Sequence, residues 1–148
     1  VPGVSSAIAA PAAAGIPVTH RGLATSFTVV TASSADDNAS LAVAWRHLLA
    51  AGGTLVFLMG LSQAREICAV LRAAGAPDDL PAAAVSQAWQ PRQQRIVGDL
   101  TTLPDMLAEA ALPAPATLIV GAVVRLADRI SPAEPDFATD VSLSSLAV

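Results

Sequence analysis

Thr19, His20 and Arg21 place a hydroxyl, an imidazole and a guanidinium on three consecutive residues. A guanidinium grips a carboxylate through two parallel hydrogen bonds, so the triplet suits an acidic ligand. The plainer alternative for His20 is an imidazole that is solvent-exposed or satisfied within the core. Pro2-Gly3-Val4-Ser5-Ser6 is a turn feeding a helix, where unpaired N–H groups suit a carboxylate or a hydroxyl. Taken alone it is also an ordinary helix start. Met59-Gly60 closes an apolar run. In open α/β sheets ligands sit beyond the carboxyl ends of the strands, and Gly60 would let one approach the backbone closely. A core methionine followed by a turn glycine is the competing reading.

Other chemistries are missing from the sequence. With two histidines and one cysteine there is no Cys/His cluster for a metal. There is no Gly-rich phosphate loop and no Gly-x-Ser-x-Gly elbow. The acidic residues are scattered, and none pairs with a histidine at a spacing that suits acid–base work. No residue is assigned a catalytic role. Trp45 and Cys68 lie on apolar stripes and read as core, while His47 falls on the polar side of its helix.

The elements that must position these residues alternate between helix and strand. Ser5 or Ser6 caps an Ala-rich helix running toward Gly15, with Pro11 marking a kink or an early stop. The β-branched stretch Ser26 to Thr31 is a strand. Ser33 to Ser40 is polar and loop-like, with Asn38 a plausible N-cap. Leu41, Ala44, Trp45 and Leu48 then recur at helical spacing until Gly52-Gly53. Thr54 to Met59 is a strand buried on both faces. The next helix starts at Ser62, presents Ala64, Ile67, Cys68 and Leu71 inward, and stops at Gly75. Pro81 to Ala88 and Arg95 to Leu100 read as an antiparallel pair joined by Trp89 to Gln94. A helix from Leu103 to Ala111 carries Pro104-Asp105 in its first turn. Thr117 to Val124 is the last buried strand. The pattern predicts a single α/β/α layered domain over residues 1–130, with a mixed, mostly parallel sheet of about five strands. Residues 131–148 read as an irregular tail.

Composition narrows the classes. The 148 residues are 53% hydrophobic, much of it alanine, yet no apolar run approaches the roughly 20 residues that span a bilayer. Aromatics make up 3% and the net charge is −4, which argues against a nucleic-acid partner. One cysteine permits no internal disulfide and fits a reducing, cytoplasmic setting.

Four blocks carry a resemblance, in order: Pro2-Gly3 through Arg21-Gly22, Thr54 through Leu61, Gln94-Arg95 to Gly98 and Leu100, and Leu118 through Val124. Together they resemble the tetrapyrrole (corrin/porphyrin) methylases, closest to the uroporphyrinogen-III C-methyltransferases and covering only the C-terminal domain. The resemblance implies homodimers of two α/β domains, with S-adenosylmethionine in the cleft between them and the tetrapyrrole in a trough above. It implies two methyl transfers giving precorrin-2, on the way to sirohaem and cobalamin, with S-adenosylhomocysteine as product. Carried over by position, Ser5, Ser6, Met59 and Ala88 contact the cofactor. Thr19, His20 and Arg21 face the trough, with Arg21 meeting a substrate carboxylate.

Two departures stand out: Thr31-Ala32-Ser33 replaces the family's Thr-Gly-His, and the segment around Trp89-Gln90 departs from its usual Gly-Thr. The family's N-terminal domain, with its Gly-rich loop and its acid and base, is expected before Val1, so this chain alone is expected to be inactive. A non-catalytic dimerisation or ligand-sensing module and a sister precorrin methyltransferase remain as alternatives.

Overall fold

The computed structural model describes residues 2–32 and 45–130. The expected loop over 33–40 with its Asn38 cap, the start of the following helix and the tail over 131–148 all lie outside them.

Ser5 opens the first helix, Ser6–Ala13, by accepting the Ala7 N–H on its hydroxyl oxygen at 3.2 Å. Pro11 lies inside this helix and does not stop it. A proline removes one helical donor, the one that would meet the Ala7 carbonyl; beyond it the Ala14 and Ile16 N–H groups both return to the Pro11 carbonyl, at 3.0 and 2.9 Å. The turn thus closes at Gly15, whose φ is +69°.

The strands are β1 (Phe27–Thr31), β2 (Thr54–Leu58), β3 (Pro81–Ser86), β4 (Gln94–Asp99) and β5 (Ala116–Val120). They form one five-stranded sheet in the order β1-β2-β5-β3-β4. The expected mixed α/β sheet is present, but its pairing is mostly antiparallel. Among the described residues only β1 and β2 pair in parallel, while β2–β5, β5–β3 and β3–β4 are antiparallel. The reason is non-local. β1, β2 and β3 do point the same way, as helical crossovers require. However, β5 returns from the far end of the chain and inserts between β2 and β3, running against both. β5 is also shorter than expected. It ends at Val120, and Gly121, at φ +146°, turns the chain into a 3-10 segment, Ala122–Leu126.

Helices cover both faces. On one, Phe57, Leu118 and Val120 pack against Trp45, Cys68, Leu71, Leu103 and Leu107. These come from the helical residues 45–50 and from the helices Ala64–Ala73 and Leu103–Glu109. The Trp45 and Phe57 rings lie 5.7 Å apart. On the other face Ala83, Val85 and Ile119 meet Ala10, Ile16, Val123 and Val124. β3 is buried along its whole length, and its alanines leave room for the layers to close on it.

Candidate functional site

Because β1, β2 and β3 point the same way, their carboxyl ends share one edge, and a cavity of about 780 Å³ opens there. Thr31, Leu58, Met59, Gln87 and Ala88 line it from the strand ends. Thr117 lines it from the start of β5, and Ser6 and Ala10 from the first helix. Its size suits a drug-sized ligand. Among the described residues no charged side chain lines it; the polar groups they contribute are hydroxyls and amides, including Ser62 and Gln90.

Ser6, Met59 and Ala88, three of the residues singled out for a cofactor, therefore meet in one cavity although 82 positions separate the outermost two. Ser5 is not on its wall. Its hydroxyl is engaged in capping the helix that carries Ser6.

Met59 adopts φ +57° with 63% of its surface exposed. An exposed, unbranched apolar side chain on left-handed backbone is an unfavourable arrangement that packing elsewhere must maintain, and such positions cluster at functional sites. Gln87, also on the cavity wall, and Trp89, next to Ala88, are left-handed too, at φ +48° and +62°. Gly60 plays a different part from the one expected of it. A Cβ there would point at Ile67 Cδ1, 3.0 Å away, and at Leu118 and Phe57, 3.3 Å away. Its missing side chain thus accommodates the core beneath the turn.

Thr19, His20 and Arg21 are exposed and lie off the cavity wall. Consecutive in sequence, they do not lie on an extended segment. Instead, paired backbone hydrogen bonds between His20 and Ala24, 2.9 and 3.0 Å, close the chain into a tight turn. The His20 Nδ1 lies 2.9 Å from the Arg21 carbonyl oxygen, which fixes the ring over this turn. The structure brings these three together as one exposed group.

Sequence reasoning missed Gln87, Gln90 and Thr117 on the cavity wall. The strand-end rule that picked out Met59 would have picked out Gln87, but Gln90 comes from a connection read only as polar. Thr117 comes from a strand whose direction was unknown.

Residues 1–104 match the family described as Tetrapyrrole (Corrin/Porphyrin) Methylases. The chain is 43% identical over 131 residues to a siroheme synthase of Chromobacterium violaceum, an alignment covering 88% of this chain and 27% of that protein. Among solved structures it is similar to a uroporphyrin-III C-methyltransferase of Thermus thermophilus, with 34% identity, a TM-score of 0.70, and coverage of 90% of this chain and 55% of that one. A Thermus thermophilus uroporphyrin-III C-methyltransferase solved with S-adenosylhomocysteine gives 32% identity, a TM-score of 0.62, and coverage of 85% and 53%. The chain thus spans about a quarter of its curated relative and about half of these solved proteins. With a family match over most of its length, the mixed five-stranded sheet and a cavity at the strand ends, this chain belongs to the tetrapyrrole (corrin/porphyrin) methylase family.

Proposed function

We propose that the chain is the C-terminal half of a uroporphyrinogen-III C-methyltransferase. In this reading it supplies one wall of the S-adenosylmethionine site and pairs with an N-terminal domain that supplies the rest. The observation that carries it is the convergence of Ser6, Met59 and Ala88 on one cavity, with Met59 exposed on strained backbone. The similarity to a methyltransferase solved with S-adenosylhomocysteine points the same way.

The donor set fits an adenosyl group. Apolar surface from Ala10, Leu58 and Met59 suits a purine face, while the Ser6, Thr31, Gln87 and Thr117 side chains offer neutral hydrogen-bond partners. The described part of the wall also carries no fixed positive charge that would repel a sulfonium. When bound, S-adenosylmethionine supplies the methyl group. The work left to these residues is to hold the adenosyl end still and to exclude water from one side, so that the transfer is nearly unimolecular. Ser5 contributes by fixing the start of the helix that bears Ser6. Thr19, His20 and Arg21 would meet a substrate carboxylate, Arg21 through its guanidinium. A half-site accounts for an open cavity to which the described residues bring no acid or base. A homodimer, a tetrapyrrole substrate, precorrin-2 as product and a cytoplasmic setting belong to the same reading. Among the described residues no helix is long and apolar enough to cross a membrane.

Calorimetric titration with S-adenosylhomocysteine tests this, using the 148-residue chain alone and then with a separately expressed N-terminal domain of a relative. Saturable binding in either arm, abolished by Met59→Asp, supports the proposal. No binding in both arms overturns it in favour of a module without cofactor. Methyl transfer to uroporphyrinogen III by the chain alone would refute the half-site reading.

A further inference from the structure

The connection between β3 and β4 reaches back over the first helix and grips it by its backbone. The Trp89 indole N–H donates to the Ala9 carbonyl at 2.7 Å, and the Gln93 side-chain amide donates to the Ala13 carbonyl at 2.9 Å. The Arg95 guanidinium donates to the Ala14 carbonyl at 2.9 Å and to the Ala127 carbonyl at 2.8 Å. Its other nitrogen meets the Asp128 carboxylate at 3.0 Å. Ala13 and Ala14 close the helix, where carbonyls lack partners within the helix and where a cation is favoured.

The same connection is itself strained and tied. Gln87 and Trp89 are left-handed, and the Gln87 N–H is held by the Pro115 carbonyl at 3.1 Å. Trp89 donates its own N–H to the Gln93 side-chain oxygen at 2.8 Å, so Gln93 bonds the strained residue with one end and the helix with the other. Backbone of this kind persists only where its surroundings over-determine it. Between these ties lie Gln87, Ala88 and Gln90, which line the cavity together with Ser6 and Ala10 of the gripped helix.

The geometry points to Trp89, Gln93 and Arg95 as a positioning clamp that sets the gap between the two cavity walls, and through it the affinity for the adenosyl ligand. The assignment of the ligand rests on the function proposed above; the setting of the helix does not. Trp89 and Gln93 act through Ala88 and the helix, so they are positioning residues. Trp89 is half exposed, and losing one of its bonds removes little of the core.

The test uses the full chain and two variants. Trp89→Phe keeps a ring but loses the indole donor. Gln93→Glu keeps the oxygen facing Trp89 but sets a carboxylate against the Ala13 carbonyl. Amide hydrogen exchange over residues 6–16 is read without ligand, alongside the urea midpoint and titration with S-adenosylhomocysteine. One lost hydrogen bond corresponds to roughly two- to tenfold in an equilibrium. The clamp predicts faster exchange over 6–16 and a weakening of binding in that range, in both variants, while exchange of β2 and β5 is unchanged. Unaltered exchange over 6–16 overturns it. So does binding equal to wild type in variants whose helix has loosened, which would leave the bonds a purely structural role. If the wild-type chain fails to bind with or without an N-terminal domain, the cofactor reading falls, and the exchange arm alone decides for or against the clamp.

Discussion

Gly53 lies so close to Ser26 that a Cβ at position 53 would stand 2.7 Å from the Ser26 carbonyl oxygen and 2.8 Å from its hydroxyl. That carbonyl accepts the Thr54 N–H at 3.0 Å, the contact that starts the parallel pairing of β1 with β2. Gly53 also sits at φ +108°. The neighbouring Gly52, at φ +69°, would meet nothing within 4 Å. The two glycines therefore answer different demands. Gly52→Ala is expected to cost only the left-handed backbone, about 1 kcal/mol. Gly53→Ala adds a clash with backbone that cannot move aside, for a total of about 2–4 kcal/mol. Urea unfolding of both variants checks this, and equal costs would contradict the register given for β1 and β2.

Cys68 packs between the sheet and its helix with 2% of its surface exposed. Burial pushes its thiol up to about 11, against a smaller opposing pull from the Arg72 and Arg65 charges. A raised folded value favours the neutral thiol in the native state. Its stabilisation is therefore complete below the ordinary thiol range, near 8.5, and is lost as pH climbs through it toward 11. The expected outcome is a native chain inert to a thiol-reactive dye at pH 8, reacting only on unfolding, with stability declining above about pH 9. Rapid labelling of the folded chain would show that the core opens there.

Much of the scaffold was legible because it is local. The Ser5 cap, the apolar run of β2, the inward face of the Ala64–Ala73 helix and the β3–β4 hairpin each follow from residues within one element. The place of β5 was not legible, since nothing in Ala116–Val120 announces that it will wedge between β2 and β3. Nor did Pro11 stop its helix at once; the helix runs on to Ala13. The cavity was half legible: Met59 followed from the strand-end rule, whereas Gln90 needed the fold of a polar connection. The left-handed backbone at Gln87 and Trp89 carries no sequence mark, because neither residue type favours it. Thr19, His20 and Arg21 were recognised as a motif, and their tight turn was not foreseen.

Asp99 organises the start of the Leu103–Glu109 helix. Its Oδ1 accepts the Thr102 N–H at 2.7 Å, the Thr102 hydroxyl at 2.8 Å and the Thr101 N–H at 2.9 Å. The Thr102 bonds, backbone first, hold its carboxyl below the usual range against slight desolvation, and the Thr101 bond adds to them. A depressed folded value means stabilisation that is present above the unfolded carboxylate value, near 3.9, and is lost as pH falls through the lower folded one. Asp99→Asn is expected to lower the urea midpoint modestly at pH 7 and to match wild type near pH 2. A difference that stays constant from pH 7 to pH 2 would rule out the ionised carboxylate as its source.

Met59 sets the cost of its backbone against the proposed use of its side chain in the cavity. Left-handed backbone costs a methionine about 1–2 kcal/mol that a glycine would not spend. With 63% of its surface in solvent, the side chain recovers little of this by packing. Met59→Gly removes the strain but also frees the unfolded backbone, so stability is expected to hold or to rise by up to about 1 kcal/mol. If the side chain is there to cover an adenosyl ligand, the same variant binds S-adenosylhomocysteine at least several-fold more weakly, and Met59→Leu recovers most of the loss by restoring apolar surface. Urea unfolding and titration on the same preparations measure the two effects. A variant that loses stability and keeps its affinity would place Met59 among the structural residues and leave the strain at the cavity mouth without a functional cause.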